Sequence, residues 1–163
     1  MRYFIVDDDR ASRMMLTSII NNANLGTVIG EASNGQEAIP QILMTQPEFV
    51  LIDLLMPKLD GIHTISHLRQ NGYSGNIIMI SQVTNKDLVA EAYQYGVEYF
   101  IHKPINKIEV ESVLRKTEEQ FRLRNSILAI RKSLSNFEQP NLIHRKKTTR
   151  DHIQTILNDM GIV

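Results

Sequence analysis

The 163-residue chain contains no cysteine. Neither a disulfide framework nor a thiolate metal site is open to it, and a reducing cytosol is its natural setting. No stretch approaches the roughly 18 consecutive apolar residues that a membrane-spanning helix needs. The start, Met1-Arg2-Tyr3-Phe4-Ile5-Val6-Asp7, turns acidic after Val6 and lacks the apolar core of a signal peptide. A cytoplasmic protein with no membrane contact is expected. Net charge is absent too, with 18 Lys/Arg against 18 Asp/Glu. That balance conceals an asymmetry: residues 1–104 hold seven basic and eleven acidic side chains, and residues 105–163 hold eleven and seven. An acidic front and a basic rear argue against one uniform domain and suit the rear to a polyanionic or acidic partner. The length allows one well-buried domain with a small appendage.

What is present is organised around Phe49-Val50-Leu51-Ile52-Asp53. Four apolar residues with β-branched Val50 and Ile52 read as a strand buried on both faces, closed by an acid and followed by the turn residues of Met56-Pro57 and Asp60-Gly61. Arg2 to Val6 is a second such run, ending in Asp7-Asp8-Asp9. Further strands are expected over Thr27 to Ala32, Ile77 to Ile80 and Glu98 to Ile101, the last running into His102-Lys103-Pro104. Helical spacing separates them: from Asp9 with Ala11, Met14, Met15 and Ile19, from Ile62 to Gln70, and from an Asn85 cap to Tyr95 with Gly96 as the stop. Pro40 lies inside the helical stretch from Gln36 to Thr45, and an interior proline costs about 3 kcal/mol, so that helix is expected to begin late, near Ile39, or to be distorted. Strand and helix alternate five times, the signature of a doubly wound parallel α/β sheet.

In such sheets the chemistry gathers at the carboxyl ends of the strands. Asp7 and Asp8, Asp53, Ser81 and Lys103 all stand at strand ends, and parallel strands would bring them to one crevice. Clustered carboxylates repel one another unless a cation joins them, and oxygen ligands without His or Cys select Mg²⁺ or a similar hard ion. A carboxylate beside such an ion can act as a nucleophile toward a phosphoryl group, with an ammonium and a hydroxyl neutralising the charge that is transferred. A lone aspartate after a strand would otherwise be read as a turn or helix-capping residue.

Taken together, Ile5-Val6-Asp7-Asp8-Asp9, Leu51-Ile52-Asp53-Leu54-Leu55-Met56-Pro57 with Asp60-Gly61, Ile80-Ser81, and Phe100-Ile101-His102-Lys103-Pro104-Ile105 resemble the receiver domain of two-component response regulators. The resemblance implies a flavodoxin-like (βα)5 fold in which Asp53 accepts a phosphoryl group from a sensor histidine kinase. Asp7, Asp8, Asp53 and the backbone carbonyl of Leu55 would hold Mg²⁺, Ser81 would bond a phosphate oxygen, and Lys103 would pair with the phosphate. It also implies a cis Lys103-Pro104 peptide, and a switch in which Ser81 moves toward the phosphate and Phe100 turns inward. The other reading of Phe100 is a core aromatic. Enzyme activity on any other substrate is not expected. This chain departs from the family at Gln82, where a small residue is usual and where bulk could crowd the entry to Asp53. Leu55 and Val83 are apolar where polar residues often position water, so a long-lived phosphorylated form is expected.

Beyond the receiver, Leu123, Ile127, Ile130, Leu134 and Phe137 follow a heptad seam of about two heptads, which predicts a coiled-coil extension that pairs two chains; the alternative is a helix folded on its own domain. Glu138-Gln139-Pro140-Asn141 ends it, His144-Arg145-Lys146-Lys147-Thr148-Thr149-Arg150 forms a basic linker, and a Thr-x-x-Asp cap opens a last helix with Ile153, Ile156, Leu157 and Met160, stopped by Gly161. The division expected is a receiver domain over 1–120, a helical extension over 121–138, and a basic linker with the start of a DNA-binding output domain over 139–163. The wording of the switch segments is similar to regulators of glutamine utilisation. His63 and His67 are one turn apart but have no third ligand in sight.

Other classes fit less well. An aspartyl phosphohydrolase of the haloacid-dehalogenase type wants a second aspartate where Leu55 stands. A mononucleotide-binding flavodoxin would carry a glycine-rich phosphate loop after the first strand, where this chain has three acids. A stand-alone receiver acting only by protein contact remains the alternative to a transcription regulator.

Overall fold

A computed structural model of the chain describes residues 1–135 and 153–158. Strand and helix alternate: β1 (Arg2–Val6), α1 (Arg10–Asn22), β2 (Thr27–Ala32), α2 (Gly35–Thr45), β3 (Phe49–Ile52), α3 (Gly61–Gln70), β4 (Asn76–Ser81), α4 (Lys86–Gln94), β5 (Val97–His102) and the long α5 (Lys107–Ser135). The strands form one sheet in the order β2-β1-β3-β4-β5, and every neighbouring pair is parallel. This is the doubly wound parallel sheet that the alternation predicts, in the flavodoxin-like form that the resemblance implies. The order reverses between β1 and β3, where such a sheet opens a crevice at its carboxyl edge.

The apolar runs explain why these segments are strands. Phe4, Ile5 and Val6 of β1 and all of β3 are buried, as are Ile77 to Ile80 of β4. Burying one such side chain is worth about 1.5–3 kcal/mol, which drives the central strands inside. Each of the first four helices is opened by a polar residue whose side chain accepts a first-turn N–H: Asp9, Asn34, Asp60 and Asn85. Gly96, after α4, has φ +82° and takes the left-handed turn there.

The late start near Ile39 expected for α2 needs correction. The helix begins at Gly35, four residues before Ile39, with Pro40 inside it. Asn34 Oδ1 accepts from Glu37 N at 3.1 Å, and Gly35, Ala38 and Ile42 of this helix are buried. At the sixth helical position, the missing N–H of Pro40 forfeits only the main-chain bond to Gln36. The cap and the buried face outweigh that loss.

The chain divides into two compact units, Met1–Arg115 and Lys116–Val163. In the second, Leu123, Ile127 and Leu134 of the heptad seam are exposed along α5, and residues 153–158 are helical. Phe137, the stretch from Glu138 to the Thr148–Asp151 cap, Met160 and Gly161 lie outside the described residues. Among the described residues, no helix is long and apolar enough to cross a membrane.

Candidate functional site

The sheet itself places the site. Its hydrogen bonding continues one step past three strand ends, with Asp7 N donating to Ala32 O at 3.1 Å, Asp53 N to Val6 O at 2.8 Å and Lys103 N to Ser81 O at 2.9 Å. The main chain of Asp7, Asp53 and Lys103 is therefore registered by the same ladder that orders the core. Gly61 opens α3 directly against Asp53: a Cβ there would lie 2.4 Å from the Asp53 carbonyl oxygen and 2.8 Å from Leu54 Cα. Only a residue without a side chain lets the helix start so close to the acid.

The side chains converge as the strand order predicts. Lys103 Nζ lies 2.5 Å from Asp53 Oδ2 and 2.9 Å from Asp7 Oδ2, and the Lys103–Pro104 peptide is cis. One carboxylate oxygen each from Asp7, Asp8 and Asp53 lies within 4.8 Å of the others. At that distance two like charges repel by roughly 3 kcal/mol at an effective dielectric of about 20. One ammonium cannot neutralise three carboxylates. Burial pushes the Asp7 carboxyl above its usual range in spite of Lys103. For Lys103 burial alone would lower the ammonium, but its hydrogen bonds to Asp53 and Asp7 prevail and raise it, so it stays charged.

One buried oxygen in this crevice, Ser81 Oγ, has no hydrogen-bond partner, and Asp7 Oδ2 is met only by the Lys103 ammonium that it shares with Asp53. Buried polar atoms are rarely left so, and such an orphan calls for an explanation in function. Hard carboxylate oxygens, one of them on exposed Asp8, fit a small divalent cation that keeps part of its water shell. Among the described residues these three acids are the one such grouping. His63 and His67 acquire no third ligand; His63 Nδ1 instead pairs with Asp60 Oδ2 at 2.8 Å.

The flanking residues are placed as follows. Leu55 N donates to Asp53 Oδ1 at 3.2 Å, and the Leu55 side chain is half exposed. Val83 is buried in the core cluster. Gln82 is exposed. Phe100 is partly buried against the core, its ring centroid 5.0 Å from that of His102.

Long-range grips on the two loops of the site escaped the sequence reading. Arg13 of α1 donates from Nη1 to Asp7 O at 2.7 Å and pairs through Nε with Glu31 at 3.2 Å. Lys58, in the loop after Asp53, reaches Glu37 of α2 at 3.1 Å. Hydrogen bonds from Asn34, then Lys58 and Ser33, bring the Glu37 carboxyl down to about 2. A basic residue one turn into the helix after three acids is the only local signal for Arg13, and Lys58 offers none.

A parallel sheet that gathers acids, a hydroxyl and a lysine at its switch point is the architecture of a receiver, and the chain belongs to that family: the profile described as "Response regulator receiver domain" matches residues 3–115. It is the receiver domain of a two-component response regulator. The transcriptional regulatory protein GlnL of Bacillus subtilis (strain 168) is 48% identical over 162 residues, covering 99% of this chain and 51% of GlnL. The chain thus spans about half the length of that relative. The chemotaxis protein CheY of Thermotoga maritima is 36% identical over 118 residues, 72% of this chain and 98% of CheY. Among solved structures, the CheX-CheY-BeF3-Mg²⁺ complex from Borrelia burgdorferi superposes with a TM-score of 0.66 at 28% identity, covering 74% of this chain and 89% of that one.

Proposed function

We propose that this chain is the phosphorylation-gated half of a transcription regulator in the cytoplasm. Asp53 is the acceptor. One of its carboxylate oxygens attacks the phosphorus of a phosphohistidine on a sensor histidine kinase; the P–N bond breaks, and the imidazole leaves with a proton. Asp7, Asp8, Asp53 and the Leu55 carbonyl would hold Mg²⁺, which when bound supplies positive charge to the transferring group. Lys103, already between Asp7 and Asp53, shifts to the phosphate, and Ser81 donates its unpartnered hydroxyl to a phosphate oxygen. The observation that carries this reading is the buried, unpartnered Ser81 Oγ beside one ammonium, shared by Asp7 and Asp53, that is outnumbered by three acids. A receiver relative whose complex contains BeF3 and Mg²⁺ supports it.

The switch follows from the same contacts. Ser81 drawn toward phosphate leaves room for Phe100, which pairs with Met79 across the β4–β5 ladder. Reversing a 1:99 equilibrium takes about 5.5 kcal/mol of differential affinity, within the reach of a doubly charged group that bonds Lys103 and Ser81 in one state only. Output is proposed to run through the rear: receiver over 1–120, a dimerising helix over 121–138 with the seam of Leu123, Ile127, Ile130 and Leu134, and a basic linker with the start of a DNA-binding domain over 139–163. The 48% identity to a transcriptional regulatory protein along 99% of the chain favours DNA output over a stand-alone receiver.

The test is mass spectrometry after incubation with acetyl phosphate and Mg²⁺. The parent chain is expected to gain about 80 Da and Asp53→Asn to gain nothing. An adduct that persists in Asp53→Asn overturns the assignment.

A further inference from the structure

An arginine of α1 reaches back to the loop that carries Asp7 and Asp8. Arg13 is largely buried, with 17% of its side chain exposed, and its guanidinium spans two elements. Nη1 donates to Asp7 O at 2.7 Å and approaches Asp8 O at 3.5 Å, while Nε meets Glu31 Oε2 of β2 at 3.2 Å. Thr17, one turn further along α1, donates to the other oxygen, Glu31 Oε1, at 3.0 Å. Glu31 is thus held by α1 at both oxygens and in turn fixes the plane of the guanidinium.

The loop needs such a hold. Asp7 N is already bonded to Ala32 O and Asp7 Oδ1 accepts from Asp9 N at 2.9 Å, but the peptide that leads to Asp8 lies beyond the sheet. Asp8 is exposed, so packing does not place it; its main chain must. Fixing the Asp7 carbonyl fixes the plane of the Asp7–Asp8 peptide, and with it the Cα from which the Asp8 carboxylate projects. We infer that Arg13, backed by Glu31 and Thr17, is a positioning residue that presets Asp8 beside Asp7 and Asp53 for a divalent cation. This inference rests on the Mg²⁺ site proposed above.

The charge of Arg13 could be thought to work the other way, by repelling the cation. Its pairing with Glu31 offsets that charge locally, whereas the geometric role depends on the fork. Arginine presents donors on two edges at fixed angles; a lysine keeps the charge but has one donor atom and cannot span both partners. The two effects therefore separate by substitution. Residues that orient a metal ligand from behind typically cost about 10-fold or more in metal affinity when removed.

The experiment is calorimetric titration of the full chain with MgCl₂, comparing the parent with Arg13→Lys and Arg13→Met, together with hydrogen exchange at the Asp8 and Asp9 amides. Both variants are expected to bind Mg²⁺ about 10-fold more weakly, with faster exchange at those amides and an unchanged urea midpoint for Arg13→Lys. Should Arg13→Met fail to fold, Arg13→Lys alone decides. Parent-like affinity in Arg13→Lys, or tighter binding in Arg13→Met, overturns the positioning role and leaves the site intact. A parent chain that binds no Mg²⁺ overturns the reading of the site, and this inference with it.

Discussion

At the edge where the strands begin, Arg69 donates to the carbonyls of Tyr73, Gly75 and Gly96 at 2.8–3.0 Å and lies over the Tyr73 ring. Arg2 there grips Glu48 and the carbonyls of Thr45 and Gln46, and the Tyr73 hydroxyl donates to Pro47 O at 3.0 Å. At the edge where the strands end, three acids face one lysine, and Ser81 Oγ has no hydrogen bond. The first edge ties its loops together through these bonds and holds the fold; the second keeps charges and a hydroxyl open. Proteins tolerate such local disorder of the hydrogen-bonding rules where function requires it, and the stable edge carries the margin that makes it tolerable.

Substitutions at the two edges should therefore differ in sign. The largest effect belongs to Arg69→Ala, which strands several carbonyls and should lower stability by about 3 kcal/mol in urea unfolding. Next, Asp7→Asn should raise stability by about 1 kcal/mol in metal-free buffer, because the fold disfavours the charged form of a buried carboxyl whose pKa is raised. A loss in place of that gain would mean that the Lys103 pair matters more than desolvation, and the contrast between edges would fail. Ser81→Ala should change stability by less than about 0.5 kcal/mol while slowing phosphoryl uptake from acetyl phosphate. A loss above about 1 kcal/mol would show that the hydroxyl is satisfied after all.

The smallest effect concerns pH. Glu37 is lowered from 4.5 to about 2, so its contribution is present above pH 4.5 and is lost as pH falls through about 2. Glu37→Gln should therefore be less stable than the parent above pH 4.5, with the gap closing toward about 2. As an exposed group its amplitude is modest. Urea midpoints that keep a constant gap across that window would show that the loop after Asp53 is held without it.

Much of this was open to reading in one dimension. Apolar runs ended by acids gave the strand edges, and parallel order followed from the alternation, so Asp7, Asp8, Asp53, Ser81 and Lys103 could be brought together before any geometry was known. Asp9, Asn34, Asp60 and Asn85 are capping types, though Pro40 hid the true start of α2 by a local penalty that the Asn34 cap and the buried Ala38 and Ile42 offset. Arg13, Arg69 and Lys58 were missed for a different reason. Each acts on main chain or side chains of another element, and a charged residue on a helix or loop looks the same in sequence whether it is solvated or gripping a carbonyl.

Gly61 contributes no functional group, yet a saturation scan of this chain should rank it with the acids. A methyl at that position would meet the carbonyl of Asp53 at 2.4 Å. The helix would have to retreat or the strand tip would have to tilt, and in either case the acceptor would be misaimed while its chemistry stayed whole. Anyone grafting this crevice onto another scaffold must copy an empty space along with the reactive groups.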